Sequence, residues 1–165
     1  MKNLVVVILI FFGVSSLNAQ TEKEKSFEDT KAIIESGLFR FEAITALPTR
    51  GSSISLTTNT GHINVNGGRA EVFLPYFGEI RGMGGYGDNG SIEIKNKVVN
   101  YQVKYNDRKH RIVVTFNSRN KSERFDFTFT IGSSGKSSVI VKSINRTTIN
   151  YYGTIYPLTD NEKTK

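Results

Sequence analysis

The chain has 165 residues and no cysteine. That excludes a disulfide framework, a thiolate metal site and a cysteine nucleophile. Its formal charge is +7, or +6 (7 − 1) once Lys2 leaves with a leader. This balance first serves simple solubility; as partners it suits acidic polysaccharide, anionic lipid headgroups or a negatively charged cell surface, and nucleic acid is not expected for an exported chain.

The elements begin with that leader. Lys2 is followed by an apolar run from Leu4 to Val14 and then by Ser15-Ser16-Leu17-Asn18-Ala19. Basic, apolar and small-residue segments in this order form a secretion signal. Cleavage is expected after Ala19, leaving Gln20 first, so residues 1–19 are read as a signal peptide. The apolar run is too short to span a bilayer, which takes roughly 20 residues, so the mature chain is expected to have no transmembrane segment. A lipid anchor would need a cysteine at the cleavage site. The protein is therefore expected in the periplasm or beyond.

Residues 20–25 read as a charged, disordered linker and residues 26–158 as one β-rich domain. A helix is predicted from about Ser26 to Ser36, capped by Ser26, with Glu28 and Asp29 in its first turn and Gly37 as its stop. Phe27, Ile34 and Leu38 share a face at helical spacing, which suits packing on a sheet. Period two then takes over. Phe39, Phe41 and Ala43 alternate until Pro48. Ile54, Leu56 and Thr58 mark a second strand, Ile63 and Val65 a third. Asn66-Gly67-Gly68 is a hairpin signal, because these residues accept positive φ. Ala70, Val72 and Leu74 return, and Pro75 withdraws a ladder donor.

A glycine-rich connection follows from Gly78 to Gly90. Ile92 and Ile94 suggest a short strand. Tyr101, Val103 and Tyr105 alternate up to a turn at Asn106-Asp107-Arg108-Lys109, and Ile112, Val114 and Phe116 come back. Phe125, Phe127, Phe129 and Ile131 form the cleanest amphipathic strand. Val139 and Val141, then Ile149, Tyr151, Gly153 and Ile155, close the pattern before a polar tail at 159–165. The connections are too short for helical crossovers, so the pairing is antiparallel. The fold expected is mainly β: a curled sheet, sandwich or small barrel with one N-terminal helix.

Several local motifs fail on their context. Gly82-Met83-Gly84-Gly85-Tyr86-Gly87 lacks the following helix of a dinucleotide site, and Gly135-Lys136-Ser137 lacks the first glycine and the helix of a phosphate loop. Asp88-Asn89-Gly90 with Glu93 is too sparse for a calcium loop. His62 and His110 stand far apart without a carboxylate cluster, so no metal or cofactor is expected. Glu71, Glu79 and Glu93 are the candidate glycosidase carboxylates, but nothing in the sequence sets two of them facing one another. No catalytic residue is assigned.

The most unusual local chemistry lies between Leu74 and Gly90. Tyr76, Phe77 and Tyr86 set aromatic rings beside glycine-rich backbone, and such loops carry binding function on a rigid sheet. Arg81 and Arg146 are candidate anion ligands. Against this stands a structural reading. Tyr76 and Phe77 would plug one end of the fold, and Arg146 would make an ion pair or bind strand-end carbonyls.

Leu74-Pro75-Tyr76-Phe77-Gly78, with Ala46-Leu47-Pro48 and Gly51 upstream and Asn145-Arg146 before Ile149-Asn150-Tyr151-Tyr152-Gly153-Thr154-Ile155, resembles an uncharacterised family of exported bacterial proteins built on a domain of unknown function. The resemblance covers nearly all of the mature chain. It implies an exported single domain and no chemistry. The functional reading is a non-enzymatic periplasmic or envelope-associated binding module, whose partner is a small apolar ligand or an anionic envelope component. The alternative is a hydrolase acting on envelope or dietary polymers. An outer-membrane barrel is disfavoured by the short irregular strands and the helix.

Overall fold

The computed structural model describes residues 22–81 and 90–159. The expected leader, Tyr86 and the tail from residue 160 lie outside the described residues. The described chain forms one α-helix, α1 (residues 22–35), a single 3-10 turn at Asp107–Lys109, and ten strands. In chain order the strands are β1 (Leu38–Pro48), β2 (Ile54–Ser55), β3 (Gly61–Asn66), β4 (Arg69–Pro75), β5 (Ser91–Lys97), β6 (Val99–Asn106), β7 (Arg111–Arg119), β8 (Arg124–Gly132), β9 (Lys136–Ser143) and β10 (Ile149–Pro157). They make one antiparallel sheet in the order β5-β4-β3-β1-β10-β9-β8-β7-β6, with β2 added on β1.

Alternation decides which face is covered. Phe39, Phe41 and Ala43 of β1, Ile112, Val114 and Phe116 of β7, and Phe125, Phe127, Phe129 and Ile131 of β8 are all buried on the concave side. Phe116 stacks on Phe127 with ring centroids 5.0 Å apart, and Phe39 and Phe41 each meet Phe129 edge-on at 5.9 Å. Each such ring contributes about 1.5–3 kcal/mol through burial. A domain without disulfides draws its stability from this packing.

The sheet curls into a half-barrel. The edge strand β5 meets the end of β7, next to the other edge, at a corner, where the Asn96 side chain donates to the Arg119 carbonyl (3.0 Å) and the Ser118 hydroxyl to the Lys97 carbonyl (2.9 Å). Val98 alone carries the chain from β5 to β6 across that corner. The curl is helped by a bulge in β1. Ala43 pairs with Gly153 and Thr45 with Tyr152, so Ile44 has no partner on β10. A β-carbon at Gly153 would run into the Glu42 backbone. Bulges of this kind bend a strand and raise its twist.

Pro48 and Pro75 end their strands as expected. Gly67 and Gly68 join β3 to β4 with φ of 53° and 96°, the positive values a two-residue hairpin requires. The helix start differs. Residues 22–25 are already helical, because Glu-Lys-Glu-Lys are good helix formers, so the described part of the expected linker belongs to α1. Ser26 is therefore no cap. Its hydroxyl donates to the Ser133 carbonyl (2.8 Å), as does that of Thr30 (2.8 Å), and Phe27 and Ile34 point into the core. The strand expected over 54–58 is only the two-residue β2. Val103 and Tyr105 pair with the buried Val114 and Ile112, so the alternation of β6 holds, but Tyr101 and Tyr105 stay partly exposed because β6 is an edge strand.

Candidate functional site

The two ends of the half-barrel differ in their connections. α1 and three short turns occupy one end. The other carries the long segments 49–60 and 76–90, with 120–123 and 144–148 beside them. The sequence candidates sit at this second end, in two layers.

The inner layer is a polar girdle on the core. Pro75 stops β4 and sends Tyr76 inward, where it is 6% exposed. Its hydroxyl lies 3.0 Å from the Glu79 carbonyl, 2.9 Å from the Thr147 carbonyl and 3.0 Å from the Thr147 hydroxyl. The chain turns tightly around that hydroxyl, so a β-carbon at Gly78 would strike it and Thr147. Backbone bonds stitch the same segment to 145–147. The Thr147 amide donates to the Glu79 carbonyl (3.0 Å) and the Arg81 amide to the Asn145 carbonyl (2.6 Å).

Arg146 is 8% exposed. Its Nε donates to Glu123 Oε2 at 2.9 Å, and its guanidinium lies 5.0 Å from the Tyr76 ring centroid and 5.8 Å from that of Phe125. The Ser143 hydroxyl also donates to Glu123. Buried charges persist when paired and hydrogen-bonded in this way. Nearby, the Tyr151 hydroxyl donates to the Pro75 carbonyl (2.8 Å). Burial, reinforced by Tyr76, pushes the Tyr151 phenol well above its ordinary range.

The outer layer faces solvent. Phe77 is 41% exposed. With Gly78, Glu79 and Arg81 it closes a cavity of about 370 Å³ against Pro48, Thr49 and Arg50. Arg50 Nη1 lies 3.1 Å from Glu79 Oε1, an open surface pair that contributes little to stability. The Arg81 side chain is exposed and makes no ion pair with any described residue. A second hollow of about 390 Å³ lies on the other side of Phe77, beside Gly90 and Ser91.

The structure thus brings Phe77 and Arg81 together in one pocket and places Tyr76 and Arg146 beneath it. Tyr86 lies outside the described residues. Glu123, Thr147 and Arg50 carry no sequence signal, since only the fold brings them to this rim.

Of the three candidate carboxylates, Glu79 belongs to the rim. Glu71 and Glu93 instead share a hollow of about 410 Å³ with His62 on the outer face of β3 to β5. Lys95 lies 2.6 Å from Glu71, and the Ser91 hydroxyl donates to Glu93 (2.8 Å). Among the described residues, no group of three His, Asp or Glu side chains is placed to hold a metal ion, and no helix is long and apolar enough to cross a membrane.

A family model for a domain of unknown function, DUF4251, matches residues 21–155. The chain belongs to the DUF4251 family. A crystal structure of a DUF4251 family protein from Bacteroides eggerthii DSM 20697 superposes with a TM-score of 0.63 at 20% identity, covering 84% of this chain and 91% of that one. At that identity the likeness establishes the shared DUF4251 fold. No curated protein matches the chain.

Proposed function

We propose that this DUF4251 chain is an exported, non-enzymatic binding module of the periplasm or cell envelope, and that its rim pocket takes a small amphipathic anion. The observation that carries the reading is the pairing of Phe77 with Arg81 in the cavity of about 370 Å³. An exposed ring offers an apolar wall, and a guanidinium offers a fork for a carboxylate or phosphate. The Arg81 amide is bonded to the Asn145 carbonyl and Tyr76, just before Phe77, is anchored on Thr147, so the pocket is pre-formed and little ordering entropy is lost on binding. The Glu79 carboxylate already held by Arg50 leaves Arg81 for a ligand.

Decanoate is a suitable probe, having an apolar tail and one carboxylate. The chain has no tryptophan, so calorimetry is the direct readout. Decanoate is expected to bind. Arg81→Ala and Phe77→Ala are each expected to weaken it about tenfold, the loss of a charged hydrogen bond or of good apolar contact. Unchanged affinity in both variants contradicts the reading. Export rests on the leader. N-terminal sequencing of protein from the periplasmic fraction is expected to begin at Gln20, and an intact Met1 contradicts it.

The hydrolase reading finds its support in Glu71 and Glu93 sharing a groove with His62. Hydrolysis of an envelope polymer that Glu93→Gln abolishes would replace the binding module with that enzyme.

A further inference from the structure

We infer that the convex face carries a second site, for an acidic glycan, in the groove where β1 bulges beside β10. The groove measures about 540 Å³ and lies on the outer side of the sheet, on the convex surface away from Phe77. Its shape follows from the bulge. Ile44, left without a partner on β10, stands 47% exposed, and Tyr152 beside it is 45% exposed. These two make one wall. Arg111 and Lys136 make the other.

Between the walls the floor is kept low by small residues. Gly132 faces Arg111 across the β7–β8 ladder, and Gly153 cannot carry a side chain at all. The rest of the floor presents hydroxyls. Those of Thr130, Ser138 and Thr154 line the groove, and no side-chain hydrogen bond with a described residue engages them. Arg111 and Lys136 make no ion pair with any described residue, and no carboxylate lines the groove.

Each component selects part of the ligand. A half-exposed tyrosine face packs against the apolar face of a sugar ring, with its hydroxyl end wet. Two cations over an uncharged floor select carboxylate or sulfate groups. Free hydroxyls exchange hydrogen bonds with sugar hydroxyls. The groove is open and shallow, which suits a segment of extended polymer rather than an engulfed small molecule. Tyr156, on the same face of β10 roughly 13 Å further along at the strand rise, extends the aromatic path.

The test titrates wild-type protein with a short oligogalacturonate, with maltotetraose as a neutral sugar and polyacrylate as an acid without rings. Oligogalacturonate is expected to bind, and both controls to bind at least about tenfold more weakly, since each lacks either the charge or the ring. Tyr152→Ala and Lys136→Ala are each expected to weaken oligogalacturonate about tenfold, while melting temperature stays unchanged because both side chains are exposed. Phe77→Ala is expected to leave this affinity alone. The inference is overturned by no oligogalacturonate binding, by binding indifferent to Tyr152 and Lys136, or by equal binding of polyacrylate. Loss of binding in Phe77→Ala also overturns it, because that assigns the glycan to the rim.

Discussion

The two ends of the half-barrel solve different problems with the same strands. At the helical end the turns are as short as Gly67-Gly68, and α1 lies over them. Phe27 enters the core, meets His110 edge-on at 5.3 Å, and Glu24 reaches the His110 Nε2 at 2.6 Å. There Phe27, Ser26 and Thr30 of α1 are spent on closing the core. At the loop end the polar girdle of Tyr76, Thr147, Arg146 and Glu123 closes the core instead. Phe77 and Arg81 are left over, facing water beside backbone that bonds at Tyr76 and Arg81 hold. Rigidity beneath and spare chemistry above are the basis of the proposed binding rim.

This contrast can be broken first at the girdle. Arg146→Leu leaves the Glu123 carboxylate buried without its cation and is expected to cost about 4 kcal/mol, the range for breaking a buried pair. A loss below about 1 kcal/mol in urea denaturation would mean the girdle is not structural. At the opposite end, Phe27→Ala empties a fully buried site and is expected to cost about 3 kcal/mol. If α1 were merely docked, hydrogen exchange would show it opening alone while the sheet stayed protected.

A smaller effect sharpens the boundary between the layers. Tyr151→Phe removes the donor to the Pro75 carbonyl and is expected to cost about 1 kcal/mol, read as a lower urea midpoint with unchanged slope. The smallest effect lies on the edge strand. Burial, then Tyr105, pushes the Tyr101 phenol up to about 12. The folded state holds that proton longer than the unfolded one, so this residue favours folding fully below pH 10. Its contribution is lost as pH rises from about 10 to about 12. Tyr101→Phe is expected to make melting temperature less sensitive to pH across that window.

The sheet was legible in the sequence because a buried face imposes period two, as in Phe125, Phe127 and Phe129. The two strand-ending prolines and the Gly67-Gly68 hairpin were legible because their backbone chemistry is local. The helix start was not. Ser26 looks like a cap, but its hydroxyl is used by Ser133, more than a hundred residues away. Tyr101 and Tyr105 have the alternation of an inner strand, and only the strand order makes β6 an edge. The rim was legible as unusual chemistry around Pro75-Tyr76-Phe77. Its division into layers was not, because Glu123 and Thr147 come from distant segments, and their meeting with Tyr76 is a property of the folded sheet.

The most direct test of that division is ligand-induced thermal stabilisation, measured with decanoate on wild type, Phe77→Ala, Arg81→Ala and Arg146→Leu. A ligand that binds only the folded state raises its melting temperature according to concentration over Kd. Wild type is expected to shift upward. Phe77→Ala and Arg81→Ala are expected to keep the wild-type melting temperature without ligand, within about 0.5 kcal/mol of stability, and to lose most of the shift. Arg146→Leu is expected to melt far lower without ligand. A full decanoate shift in both rim variants, or a loss of stability in them as large as in Arg146→Leu, would contradict a structural girdle carrying a separate binding rim.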